Sequence, residues 1–117
     1  MRERRQRAEA HGRRAERLAR LLLWLKGYRC LQTRYRSPVG EVDLICRRGR
    51  LLVFVEVKAR PRLDDAAAAI TAPQLARIRR ASAHFLASQP RLAGCDCRID
   101  AVLVAPGRWP RHLRSIG

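Results

Sequence analysis

Apolar residues recur at three- and four-residue steps over residues 12–26, at Ala15, Leu18, Ala19, Leu22 and Leu25. That spacing follows the 3.6-residue helical turn and predicts an amphipathic helix with one buried stripe. Gly27 comes next and takes a left-handed C-cap at no steric cost. The period then drops to two. Leu31, Thr33 and Tyr35 alternate with Gln32, Arg34 and Arg36, which predicts a strand over 28–36. Ser37-Pro38-Val39-Gly40 reads as a turn, Glu41 to Arg47 as a second strand and Leu51 to Ala59 as a third. The third strand is apolar on both faces, the mark of a strand lying centrally under two covering layers.

Residues 60–70 read as a loop. Thr71 is an N-cap with Pro73 in the first turn, and a second helix runs from there to about Ser88. It buries Leu75, Ile78, Ser82 and Phe85 and turns Arg77, Arg79 and Arg80 outward. Cys97 to Val104 predicts a further buried strand. Residues 106–117 are basic and rich in breakers and read as a loosely ordered tail; residues 1–11 read as a basic N-terminal arm. No linker divides the chain, so 1–117 forms a single domain. The pattern implies an α/β fold, a mixed sheet of about four strands flanked by helices.

Charge narrows the function. The chain carries 26 Lys plus Arg against 10 Asp plus Glu, a formal net charge of +16. So basic a domain attracts polyanions, and nucleic acid is the expected partner, ahead of an anionic membrane surface or an acidic protein. The apolar run Leu21–Leu25 is too short for a signal peptide core or a membrane span, which points to a cytoplasmic protein with no membrane partner. Cys30 and Cys46 lie in strand-like runs, where a free cysteine acts as a small hydrophobe. Cys95 and Cys97 form a C-x-C with no second ligand cluster, so neither zinc nor a disulfide framework is expected.

Against this background the acids stand out. Glu3, Glu9, Asp64, Asp65 and Asp96 sit among polar neighbours, whereas Asp43, Glu56 and Asp100 are each flanked by apolar residues. A buried carboxylate without a mate costs several kcal/mol as an order of magnitude, so such a group has a partner or a cation. Glu56 and Lys58 share one strand face, as do Glu41 and Asp43. If the hairpin loop is Gly49-Arg50, a type II′ turn, Arg48 pairs with Leu51, and counting outward sets Asp43 opposite Glu56 and Glu41 opposite Lys58. A four-residue loop gives the same pairing; a three-residue loop throws the two sets onto opposite faces. In the even registers, carboxylates and an ammonium gather into a cluster suited to Mg²⁺ or Mn²⁺ and to metal-assisted phosphodiester hydrolysis, with Lys58 offsetting the developing charge.

Asp43, a hairpin, then Glu56-Val57-Lys58 resembles the PD-(D/E)xK nuclease signature. More closely, the chain resembles the YraN family of uncharacterised, endonuclease-like bacterial proteins, distantly similar to archaeal Holliday-junction resolvases. The likeness rests on Gly12-Arg13-Arg14-Ala15-Glu16, Gly27-Tyr28, Gly40-Glu41-Val42-Asp43-Leu44-Ile45, Val53-Phe54-Val55-Glu56-Val57-Lys58-Ala59-Arg60, Arg77-Ile78 and Arg98-Ile99-Asp100. It implies a restriction-endonuclease-like core, with Glu16, Asp43 and Glu56 as metal-side acids and Lys58 as the catalytic lysine. The resemblance breaks at Gln74, where many relatives carry a lysine, and Gln74 and Glu41 are supporting candidates.

The expected activity is metal-dependent cleavage of DNA of a branched or otherwise structured form, with Arg34, Arg36, Arg60, Arg77 and Arg80 holding phosphates. No base-reading module is present, so shape rather than sequence is the expected target. The alternative is a non-catalytic nucleic-acid-binding protein that keeps the fold, with Glu56–Lys58 a plain ion pair, Glu16 paired to Arg20 one turn on, and Asp100 buttressing an arginine such as Arg98. A third reading is an adaptor for an acidic protein. The oligomeric state stays open, a homodimer included.

Overall fold

The computed structural model describes side chains from Gly12 to Gly117 and, within the first helix, the backbone from Arg2. The basic arm expected over 1–11, with Glu3 and Glu9, lies outside the fully described residues. Helix α1 spans Arg2–Leu25 and ends as its sequence requires. Gly27 has φ +90°, its N–H bonds the Trp24 carbonyl at 2.9 Å, and the Tyr28 N–H reaches back to Leu23 at 2.9 Å. These two bonds make a Schellman cap, which a residue with a Cβ closes less readily.

Strands β1 (Arg29–Ser37), β2 (Gly40–Arg48) and β3 (Leu51–Ala59) form an antiparallel meander. The connection from β3 carries helices α2 (Leu63–Ala68) and α3 (Ala72–Ala87) and returns as β4 (Asp96–Val104), parallel to β3. Strand β5 (Arg111–Leu113) adds antiparallel to β4. The sheet is mixed and five-stranded, ordered β1-β2-β3-β4-β5. Ala15, Ala19, Leu22, Leu23 and Tyr28 cover one face of it, over Leu44, Cys46, Val53, Val55 and Val102. Ile78, Ala81 and Phe85 cover the other, over Val42, Ile45, Leu52 and Phe54. Strand β3 is covered on both sides, as its two-sided apolar run demands.

Four local expectations are corrected. The stripe of α1 is rotated: Ala15, Ala19, Leu22 and Leu23 face the sheet, while Leu18 and Leu25 are 44% and 58% exposed. The two alanines let the helix approach the sheet closely, which a leucine in their place would prevent. The stretch read as a loop over 60–70 contains α2, because Asp64 and Asp65 lie in its first turn and an alanine run follows, both favourable to helix. Alternation in β1 is interrupted by a bulge between Cys30 and Gln32 and again at Arg34, whose φ is +52°, so Leu31 turns outward. The tail read as loosely ordered is instead tied down. It supplies β5, the Ser115 N–H bonds Asp100 Oδ1 at 3.0 Å, and the Ile116 N–H bonds the Ile99 carbonyl at 2.8 Å. No local periodicity announces this, because the tail's partners lie on β4.

Candidate active site

The turn sets the geometry of the site. Gly49 opens the β2–β3 loop at φ +60°, the sign a type II′ turn needs at its first position. The ladder then runs Arg48↔Leu51, Arg47↔Leu52, Cys46↔Val53, Ile45↔Phe54 and Leu44↔Val55. This is the register that a two-residue loop predicts. One step further out the regular pairing stops, so the expected cross-strand pairs Asp43–Glu56 and Glu41–Lys58 do not form. Asp43 Oδ2 accepts the Val57 N–H at 2.7 Å, so a side chain replaces the backbone partner and the strands part.

Beside Asp43, β2 also loses its alternation. Leu44 and Cys46 pack towards α1, yet Val42 packs towards α3. Asp43 sits at this crossover, next to Arg34 in the irregular stretch of β1. A cavity of about 480 Å³ opens there, lined by Gly12, Arg13, Glu16, Arg34, Arg36, Glu41 and Asp43 among others. Glu56 and Lys58 lie on the α3 face, their charged ends 3.2 Å apart. A small second cavity there is lined by Glu41, Glu56, Gln74, Arg77 and Ile78. The three acids therefore surround the end of the β2–β3 ladder: Glu16 from the α1 side, Glu56 from the α3 side and Asp43 between them.

Electrostatics tie the three together. Burial pushes the Asp43 carboxyl up to about 7; the Glu56 and Glu16 charges push the same way, against the Val57 N–H and Lys58. Burial also raises Glu56, with Lys58 working against it and Glu41 adding to it. Carboxylates whose ionisation burial disfavours gain from a cation placed against them, and their hard oxygen donors fit a hard divalent one. The side chains are not gathered into a ready cage. Glu16 is held by Arg34 Nε at 3.0 Å and Glu56 by Lys58, and among the described residues no three of His, Cys, Asp and Glu converge on one point. Asp43 and Glu56 fit a cation by charge and donor type; Glu16 would have to exchange Arg34 for it.

The remaining candidates have definite places. Gln74 closes the capping box of α3: its side chain accepts the Thr71 N–H at 3.1 Å while Thr71 Oγ1 accepts the Gln74 N–H. This gives Gln74 a structural task beside the second cavity. Arg77 meets Glu41 at 3.4 Å, an exposed pair of little energetic weight. Arg80 donates to the Val39 carbonyl and Arg60 to the Ala59 carbonyl. Arg34 is spoken for by Glu16, and Arg36 lines the large cavity.

Sequence reasoning anticipated Arg98 beside Asp100 but missed the rest of the organisation there. Its carboxylate is fully buried and takes four hydrogen bonds: two from Arg98 at 2.8 and 2.7 Å, one from His112 Nε2 at 2.7 Å and one from the Ser115 N–H. Burial alone would raise this carboxyl, but His112, Arg98 and Ser115 outweigh it and hold the group well below the usual carboxylate range. Arg98 also reaches the Tyr28 hydroxyl at 2.8 Å, Arg48 stacks on the Tyr28 ring, and Lys26 meets His112 Nδ1 at 3.0 Å. The expected buttress to Arg98 is real, and it extends to a histidine that looked unremarkable in the sequence. An acid flanked by apolar residues was the only signal.

Comparison with known proteins places the fold and the family. The fold matches that of Hjc from Archaeoglobus fulgidus, a Holliday junction resolvase from an archaeal hyperthermophile, with a TM-score of 0.57 over 86% of this chain and 73% of that one, at 20% identity. That agreement defines the class by fold alone: an α/β, restriction-endonuclease-like core. The family model of the uncharacterised protein family UPF0102 matches residues 15–104, and the chain belongs to that family. A UPF0102 protein of Methylorubrum extorquens is 57% identical over 109 residues, covering 92% of this chain and 85% of its own. Another from Parvibaculum lavamentivorans is 55% identical, covering 87% and 77%.

Proposed function

We propose that this protein is a metal-dependent endonuclease acting on DNA, with four-way or otherwise branched DNA as the preferred substrate. The observation that carries the reading is Asp43: a carboxyl pushed up to about 7 by burial and by Glu56 and Glu16, lining a cavity together with Arg13, Arg34 and Arg36. The likeness to a resolvase fold supports branched DNA as substrate. Asp43 and Glu56 would hold Mg²⁺ or Mn²⁺, with Glu16 joining when Arg34 moves onto a phosphate. A cation there supplies Lewis-acid polarisation of the phosphoryl group and an activated water. Lys58 stands beside Glu56 and stabilises negative charge growing on the phosphate. Arg36 and Arg34 at the cavity, with Arg77 and Arg80 on α3, steer the backbone in.

The ion pairs Glu16–Arg34 and Glu56–Lys58 favour a second reading, a non-catalytic nucleic-acid-binding protein in which these acids only balance local charge. Cleavage assays on linear, flapped and four-way DNA with Mg²⁺ or Mn²⁺ separate the two. The nuclease reading expects nicks that need the metal and vanish in Glu56→Gln. Binding without cleavage under every metal condition supports the second reading.

A further inference from the structure

Cys30 and Cys46 face each other directly across the β1–β2 ladder, one residue before the bulge. Both are free thiols. Directly opposed antiparallel residues have Cα atoms about 4.5–5.5 Å apart, within the span a disulfide bridges. Cys46 is buried in the core beneath α1, whereas Cys30 is half-exposed. Both line a cavity of about 300 Å³ whose rim includes Arg17, Arg20, Trp24 and Arg29. An opening leads to one sulfur, a cationic rim attracts anions to it, and a second sulfur waits behind.

We propose that Cys30 and Cys46 form a peroxide-reactive dithiol site, in which Cys30 is the attacking sulfur and Cys46 resolves the product as an intramolecular disulfide. The Cys30 thiolate attacks one oxygen of hydrogen peroxide. The O–O bond breaks, a sulfenic acid forms, and the second oxygen leaves as hydroxide that takes up a proton. The Cys46 sulfur then attacks the Cys30 sulfur. The S–O bond breaks, water leaves with the Cys46 proton, and the two electrons given to the peroxide come from the pair of thiols. Two thiols acting in turn, or one dithiol, restore both cysteines by exchange through a mixed disulfide and leave as a disulfide themselves.

The surroundings favour this order. The neighbouring Cys46 thiol, which donates a hydrogen bond, lowers Cys30 to about 6; Arg20 adds to the effect and burial opposes it. Cys46 itself is pushed up by Cys30 and by burial, with Asp100 on β4 adding to the rise and Arg20 opposing it. The charged groups facing the pair are thus Arg17 and Arg20 from α1, Arg29 beside Cys30 on β1, and Asp100 from β4. A thiolate present at neutral pH in a basic, open setting is the one that reacts. Cys97 is more exposed than Cys30, but burial and the neighbouring Cys95 and Asp96 raise its thiol, so exposure alone would choose the wrong cysteine.

The test uses the reduced full-length protein and one molar equivalent of hydrogen peroxide, followed by alkylation and peptide mass mapping without reductant. The expected product is a Cys30–Cys46 linked peptide with Cys95 and Cys97 still alkylated. In Cys46→Ala the oxidation should stop at a Cys30 sulfenic acid that a 1,3-dione traps. In the wild type, iodoacetamide should modify Cys30 at least tenfold faster than Cys97 at pH 7, with a midpoint near pH 6. Oxidation of Cys95 or Cys97 ahead of Cys30, a Cys30 sulfenic acid that persists in the wild type, or a Cys30 alkylation midpoint in the ordinary thiol range would each overturn the proposal. The wild-type measurements stand even if Cys46→Ala fails to fold.

Discussion

Asp43 takes the Val57 backbone N–H at 2.7 Å where the β2–β3 ladder stops, so one carboxylate both ends the strand pairing and lies between Glu16 and Glu56. A hydrogen bond that any acceptor could supply is thus made by a group whose charge is unwelcome. That conflict makes Asp43 testable without any assay of activity.

Asp43→Asn should stabilise the protein at pH 8. The folded-state value of about 7 lies above the ordinary 3.8. The folded state therefore holds the proton more tightly, and the stability this confers is complete below about pH 4 and lost as pH rises through 7. Asparagine keeps an acceptor for Val57 and never ionises. Thermal melts should show the variant several degrees above the wild type at pH 8, with the gap closing towards pH 4. A variant that melts lower at pH 8 would contradict the electrostatic account.

Divalent cations should narrow that gap. If Asp43 and Glu56 hold Mg²⁺ or Mn²⁺, saturating metal stabilises the wild type by about 2.7 kcal/mol at a concentration one hundred times Kd. Asp43→Asn and Glu56→Gln should lose most of this gain. Lys58→Met should keep it and lose cleavage by roughly a hundredfold or more, as expected of a group that stabilises developing charge. Calorimetry and melting curves measure the first effect, and single-turnover cleavage the second.

Asp100→Asn should be among the more damaging single changes to stability. It leaves Arg98 facing a neutral partner inside the fold, and breaking one side of a buried ion pair costs roughly 3–5 kcal/mol. Here the pH dependence has the opposite sign to that of Asp43. The folded value lies below the ordinary 3.8, so the stabilisation is present above that pH and lost as the solution becomes more acid. Because His112 and the Ser115 N–H bind the same carboxylate, the variant should also free the tail. Amide exchange at Ser115 and Ile116 should rise more than exchange in β3.

Gly40→Ala should separate α3 from the site. A Cβ at position 40 would overlap the Arg77 backbone carbonyl, which has no flexible end to yield. Relief requires α3 to move off β2, at about 1–3 kcal/mol for an overpacked contact. Chemical denaturation should register the loss, and the Glu41–Arg77 pair should open with it.

DNA binding should be dominated by phosphate contacts. The logarithm of the association constant should fall linearly with the logarithm of salt concentration, by about 0.9 per phosphate neutralised. Arg36→Ala and Arg80→Ala should each shallow that slope by about one contact and weaken all DNA sequences alike. A flat salt response would point towards the adaptor reading.

Much of the molecule is written in local pattern. The periodicities located α1, the meander, α3 and β4, since a helix or strand needs apolar residues at its own repeat to bury one face. Gly27 and Thr71 marked helix ends because capping is a local matter, and Gly49 marked the hairpin turn, although the choice between an even and an odd loop came from the strand pairing. Tertiary structure decided the rest. It chose which stripe of α1 meets the sheet, since Ala15 and Ala19 permit an approach that Leu18 and Leu25 do not. It ordered the tail, whose partners Asp100 and Ile99 lie on a distant strand that no local rule can name. It set Asp43 at the edge between two faces, because the kink at Arg34 and the parting of β2 from β3 arise from pairing between strands. And it brought Cys30 opposite Cys46, a relation invisible along the chain because sixteen positions and a turn separate two sulfurs that the ladder makes neighbours.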